Sequence, residues 1–521
     1  MKKRNMIILI LVITIIVGIL GYLQVQPIFM QRPSNNFIPI TINEAKPIQD
    51  NNMTLSFLYN ITKEKHPTGT KEIYCVRDYI ANCLEEMNVP YDIQSRNLDE
   101  TFVRELLNEK RNELIKIKNN YYNELKNQIG NKDVEQFIKE NTEYSSFDEM
   151  YQQEHTQGKD TETMMAMLEE SYNKKIKKYK NATLNNIIVK LNSGYDLNAQ
   201  NLLLVAHYDS AEESYGAGDD GMPVAGLLET IRCLKNKSFK NNIYILFTDG
   251  EEQEFLGAID FIIQNHVNFD LVINFDNSGN SGNLFLYHYS NDNLTRQYFK
   301  SNKREVSYSF VNELLFNQNS EYFQYETSDA FMFVKKGYNT LDLALACNPF
   351  YYHSEKDNFY NIDVDALYNM TKSMIEMVEY YGNNKIEKGN NDEIFNLKLI
   401  NGVELSISKI AYIVISVAFI CISFIYVILL FIKKEKILKK SSVIILSIVS
   451  ILTLILFKNL SLLFSIPCII LFISDKIKND RGKNIFTIFA FEIYLFVIIQ
   501  MIVPIVQYVL WLLNSLNFSG N

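Results

Sequence analysis

The chain has 521 residues, too long for one ordinary compact core, so it must divide into domains or combine a domain with membrane segments. A formal net charge of -9 at pH 7 excludes nucleic-acid binding as the main activity. The six cysteines form no disulfide framework: Cys421 and Cys468 fall in long apolar runs, and Cys75, Cys83, Cys233 and Cys347 have neither zinc-ribbon nor redox spacing.

The first element is the run MIILILVITIIVGILGYL, Met6 to Leu23, uncharged and preceded by Lys2, Lys3 and Arg4. It is long for a signal-peptide core and no small-x-small cleavage site follows, so residues 1–24 read as a retained signal-anchor helix. Residues 25–65 are polar and irregular, as a juxtamembrane segment would be. A domain is expected over 66–390.

That domain opens with a helix over IYCVRDYIANCLEEM, Ile73 to Met87, and a short strand over Val89 to Ile93. Residues 97–182 then change character. Val103, Leu107, Leu114, Ile117, Tyr121 and Leu125 form one helical stripe that stops at Gly130, and Met165, Leu168, Tyr172, Ile176 and Tyr179 form another. This is a helical insertion, either a cap beside a site or a solvated decoration. Beyond it, apolar runs begin at Asn185, Asn201, Asn242, Asp270, Asn283 and Thr340, separated by helix-period segments such as VAGLLETIRCL. Continuous apolar strands alternating with helices indicate an α/β class: a three-layer αβα domain around a mostly parallel, mixed sheet buried on both faces.

Residues 405–521 read as a multi-span α-helical membrane region of about four helices, with runs at Ile407 to Ile432, Val443 to Phe457, Leu460 to Ile473 and Ile485 to Leu513. Placing Lys2 to Arg4, KKEKILKK and DKIKNDRGK on the cytoplasmic side gives one consistent topology. The α/β domain is then expected outside the cytoplasm, on a multi-pass protein of the cell membrane.

Chemistry gathers where strands end. The strand NLLLVAHYD finishes in His207 and Asp209, two residues apart and so on one face. GAGDDG follows, its glycines allowing the turn that brings Asp219 alongside. NIYILFTDG leads into Glu251 and Glu252, INFDNSG ends at Asp276, and YYHSEKD offers His353. Taken singly, these are a satisfied polar histidine, a turn and a helix-start acid pair. Taken together at the carboxyl ends of successive strands, they form a nitrogen and oxygen ligand set suited to zinc.

The order HYDS, GAGDDG, DGEEQEFLGA, NFDNSG, TSDAFMF and YYHSEKDNFYNID resembles the zinc-dependent exopeptidases of metallopeptidase family twenty-eight, the co-catalytic two-zinc aminopeptidases, and HPTGTKEIYCVRDYIANCL resembles the leading helix of membrane-anchored members. The resemblance implies the phosphorylase/hydrolase-like zinc exopeptidase fold and two Zn²⁺ ions. It implies His207 and Asp276 as ligands of one ion, Glu252 and His353 of the other, and Asp219 as the bridge. Glu251 would be the general base and Asp209 would orient His207. The substrates implied are peptides with a free N-terminus. Ala330 stands where many relatives carry histidine, and Met222-Pro223 where small residues are usual; both bear on substrate fit. A glutaminyl cyclase-like aminoacyltransferase, which shares HYDS and DGEE, and a non-catalytic receptor or scaffold on the same fold are the alternatives.

Overall fold

The computed structural model describes residues 53–130, 132–156, 158–179, 182–192, 194–290, 292–302, 328–387, 394–398 and 404–408. The expected membrane segments lie outside these residues, except at one boundary. Ile407 and Ser408, expected to open a span, end a strand Glu404–Ser408 that pairs antiparallel with Ile394–Lys398. ELSIS alternates polar and apolar residues, the period of a strand. Among the described residues no helix is long and apolar enough to cross a membrane.

Seven strands form the main sheet: β1 (Tyr91–Asn97), β2 (Thr183–Asn192), β3 (Asn201–His207), β4 (Asn242–Thr248), β5 (Leu271–Phe275), β6 (Ser281–Tyr289) and β7 (Thr340–Cys347). Their spatial order is β1-β2-β4-β3-β5-β7-β6. The four central strands β4, β3, β5 and β7 are mutually parallel, while β1, β2 and β6 join antiparallel at the flanks. The parallel strands therefore end at one edge of the sheet.

Alternation along β3 shows how the layers form. Leu202, Leu204 and Ala206 enter a large core with Leu227, Leu228 and Ile231 of helix Met222–Leu234 and with Met370, Met374 and Met377 of helix Val364–Asn383. Leu203 and Val205 face the other way, onto Ala258 and Phe261 of helix Leu256–Gln264 and Phe333 of helix Asp329–Lys336. Both faces of the strand are covered, which is why it carries no polar residue between Asn201 and His207.

Three local departures have physical causes. β1 runs to Asn97, past the expected end at Ile93; an edge strand tolerates polar side chains, and Ser95 donates to Asn185 of β2 at 2.9 Å. A helix Thr54–Ile61 falls within the segment expected as a polar stalk, and its Phe57, Leu58 and Ile61 are buried in the main core. Eight residues are too few for periodicity to announce a helix. The insertion between β1 and β2 holds two short helices, Val134–Asn141 and Phe147–His155, besides the long pair Glu100–Ile129 and Thr161–Lys178. Their signals are the caps Asp133 and Ser146, and their apolar residues pack with Tyr121, Tyr122 and Leu125 of the long helix into a separate small cluster.

Candidate active site

Each candidate residue leaves the same edge of the sheet. His207 ends β3, Glu251 and Glu252 follow β4 by way of Asp249 and Gly250, Asp276 follows β5, and His353 lies on the loop after β7. Asp219 comes from the turn between β3 and helix Met222–Leu234. Close packing fixes two of these loops. A side chain at Gly221 would bring its Cβ within 2.5 Å of the Gly216 carbonyl oxygen, and one at Gly257 within 2.2 Å of the Asp249 carbonyl oxygen. Only glycine fits at either place.

The structure brings the residues together around Asp219. Its Oδ1 lies 3.1 Å from His207 Nε2 and its Oδ2 3.1 Å from His353 Nε2. His353 Nε2 is also 3.1 Å from Glu252 Oε1, while Asp276 Oδ1 and Glu251 Oε2 each lie 4.0 Å from His207 Nε2. Two groups emerge whose ligating atoms lie within 4.8 Å of one another: His207, Asp219, Asp220 and Asp276, and Asp219, Glu252 and His353. Asp219 belongs to both. Glu251 belongs to neither, although it is buried beside them.

Behind this shell, Asp209 has two functions. His207 Nδ1 lies 3.0 Å from the Asp209 carbonyl oxygen and 3.4 Å from its carboxylate, which leaves Nε2 directed at Asp219. The same carboxylate accepts the Glu251 N–H at 3.0 Å and the Glu252 N–H at 3.2 Å. One side chain thus holds the histidine and the turn that carries both glutamates.

Several members of the site were not among the ligands and catalytic residues expected from the sequence. Asp220 shares the His207 group, and its Oδ1 accepts the Asn277 N–H at 3.2 Å. Asp357, four residues past His353, accepts the N–H groups of Gly218 at 2.6 Å and Asp219 at 3.2 Å and the Ser214 hydroxyl at 3.2 Å, so the loop bearing His353 is tied to the turn bearing Asp219. Tyr352 stacks on the His353 ring at 3.8 Å between centroids. His353 itself adopts φ 54°, a left-handed conformation uncommon for a residue with a side chain.

The donor set fits a metal. Asp219 Oδ2, Asp220 Oδ2 and Glu252 Oε1 are buried and have no hydrogen-bond partner, although His353 Nε2 is 3.1 Å from two of them; they converge without hydrogen-bonding alignment. Burial, and then the charge of Asp276, pushes the Glu251 carboxyl well above the usual range, and burial followed by the Asp219 charge raises Glu252. Burial would lower His207, but the Asp209 and Asp219 carboxylates and the Glu251 charge reverse that and raise it. Burial also opposes the rise at His353, which Asp219 and Glu252 carry to about 10. Acids that repel one another in a buried shell are what divalent cations would neutralise.

Residues 186–378 match Peptidase family M28. Every residue of the constellation lies inside that segment, and the match supports a family M28 metallopeptidase. A vacuolar membrane protease of Candida dubliniensis is 28% identical over 213 residues, which are 40% of this chain and 22% of that protein. The chain thus matches less than a quarter of the length of that relative. A zinc aminopeptidase from Bacillus subtilis superposes with a TM-score of 0.42 at 14% identity, over 64% of this chain and 95% of that one. The Porphyromonas gingivalis glutaminyl cyclase gives 0.38 at 15% identity, over 63% and 96%.

Proposed function

We propose that this chain is a membrane-anchored zinc aminopeptidase that removes residues from the free N-terminus of peptides outside the cytoplasm. The observation that carries the reading is the Asp219 carboxylate, with one oxygen toward His207 and the other toward His353. A carboxylate placed between two imidazoles suits two ions sharing one ligand. His207 and Asp276 would hold one Zn²⁺ and Glu252 and His353 the other, with Asp219 common to both. Asp220, within the His207 group, is a further candidate oxygen. Bound zinc would polarise the scissile carbonyl and make the attacking water more acidic. Glu251, close to the His207 group but outside both sets, would take the water proton on its carboxylate and return it to the leaving amine. Asp209 would keep His207 Nε2 facing the ions by engaging Nδ1.

The experiment uses the purified full chain with aminoacyl fluorogenic substrates, N-acetylated controls, and a peptide beginning with glutamine. Free-amine substrates are expected to be cleaved and acetylated ones spared, with activity abolished by chelation and restored by Zn²⁺. Activity in a rigorously metal-free sample would exclude the zinc mechanism. Cyclisation of the N-terminal glutamine without cleavage would instead make the chain an aminoacyltransferase.

Location at the cell membrane, with the α/β domain outside, rests on the apolar runs and their basic flanks; the relatives' name, vacuolar membrane protease, supports a membrane location alone. Cys75 and Cys233 are exposed free cysteines. A membrane-impermeant thiol reagent is expected to label them in intact cells, with the signal lost in the C75S/C233S double variant. Labelling only after permeabilisation would place the domain on the other side.

A further inference from the structure

Thr68, within the motif HPTGT, lies between two buried carboxylates. Its hydroxyl oxygen is 3.1 Å from Asp209 Oδ2 and 3.0 Å from Asp249 Oδ1, and all three residues are at most 2% exposed. A hydroxyl has one hydrogen and can donate to only one of them. If both acids were ionised, the other contact would set lone pair against lone pair at about hydrogen-bond distance with no water to intervene, a costly arrangement. One of the two carboxyl groups must therefore be the donor.

The remaining contacts decide which. Asp209 already accepts the backbone N–H groups of Glu251 and Glu252 and faces His207 Nδ1. Among the described residues Asp249 meets, besides Thr68, the Asn185 N–H at 3.0 Å on Oδ2, which leaves Oδ1 to carry hydrogen toward Thr68. We propose that Asp249 is held as a neutral acid that donates to Thr68, so that Thr68 donates to Asp209, making Asp249 and Thr68 positioning residues for His207. In the chain Asp249 to Thr68 to Asp209 to His207, Asp209 Oδ2 takes the Thr68 hydroxyl beside the Glu252 N–H, and Oδ1 is left to the imidazole and the Glu251 N–H. The proposal rests on His207 being a zinc ligand.

The surroundings agree. Burial, and then the Asp209 charge, raises Asp249 to about 8, opposed by the Asn185 N–H, the Thr68 hydroxyl and the charge of Arg77. Burial holds the neighbouring Tyr208 phenol well above its usual range, so it stays neutral beside Asp249. Asp249 is thus protonated at neutral pH and ionises above about 8, where both acids would compete for the Thr68 hydrogen.

Asp249→Asn separates this from a merely structural role, because an amide can donate to Thr68 through Nδ2 and still accept the Asn185 N–H through its oxygen. In infrared difference spectra of the full chain in detergent, wild type minus Asp249→Asn, a protonated-carboxyl carbonyl band is expected at pH 7 and should vanish at alkaline pH. Zinc affinity of Asp249→Asn, measured by chelator competition, should match wild type at pH 7 and exceed it above about pH 8, the alkaline limb being absent from the variant. Thr68→Val should weaken zinc binding roughly 10- to 100-fold, the usual cost of losing a group that orients a ligand, and Thr68→Ser should restore it. Absence of the band, or a Thr68→Val chain with wild-type zinc affinity, would overturn the proposal and leave the peptidase reading intact. A wild-type chain that shows the band and binds zinc but cleaves no peptide would sink the peptidase reading alone.

Discussion

Glu251→Gln is expected to keep its full zinc content and lose about 10²- to 10⁴-fold in turnover, the usual cost of removing a general base. The expectation follows from its position. Glu251 is buried and its Oε2 is 4.0 Å from His207 Nε2, yet it is not part of either group of converging ligand atoms. Its backbone N–H is held by Asp209, and an amide side chain leaves that hydrogen bond unchanged. Glutamine removes the proton acceptor and little else. Glu252→Gln should behave oppositely, because its Oε1 is a buried oxygen without a hydrogen-bond partner, 3.1 Å from His353 Nε2. A neutral amide is a poor replacement for an anionic ligand, so one zinc site should weaken. Elemental analysis and turnover on both purified variants distinguish the two. Zinc loss in Glu251→Gln with retention in Glu252→Gln would exchange their roles.

The strands were legible because the central ones are covered on both faces: NLLLVAH and NIYILFT are unbroken enough to be seen without their neighbours. The ends of elements were less so. Pairing with β2 carries the polar residues of β1 to Asn97, and that partner lies 86 positions further along at Thr183. The residues that converge around Asp219 were also legible, since each is an acid or histidine at a strand end or on the loop that follows it. Behind them Asp209 was legible too, but Asp249 and Asp357 were not. Asp249 precedes a glycine and Asp357 precedes an asparagine, so both look like turn residues. Their significance lies in what they hold, the Thr68 hydroxyl in one case and the Gly218 and Asp219 N–H groups in the other, and those partners are distant in sequence.

Asp219→Asn should have a larger effect on metal content than any other single substitution at the site. The two oxygens of Asp219 face different histidines at equal distances of 3.1 Å, and the residue is common to both ligand groups. Burial would raise its carboxyl, but His207 and His353 outweigh burial and hold it below its ordinary value, so it is an anion in this setting. Asparagine has one oxygen and one amide nitrogen without a lone pair for a metal. Whichever way it turns, in the proposed two-zinc site one ion would lose a ligand and the other would keep a weaker, neutral one. Losing a group that only orients a ligand costs roughly 10- to 100-fold in metal affinity, so losing the shared ligand should cost at least ~100-fold, accompanied by loss of peptidase activity. The backbone should stay in place, because Asp357 holds the Gly218 and Asp219 N–H groups independently of the side chain at 219. Chelator competition on the purified variant, with circular dichroism to check the fold, measures this. A folded Asp219→Asn chain that retains one ion at wild-type affinity would show that Asp219 serves a single metal, and the shared-ligand reading would have to be abandoned.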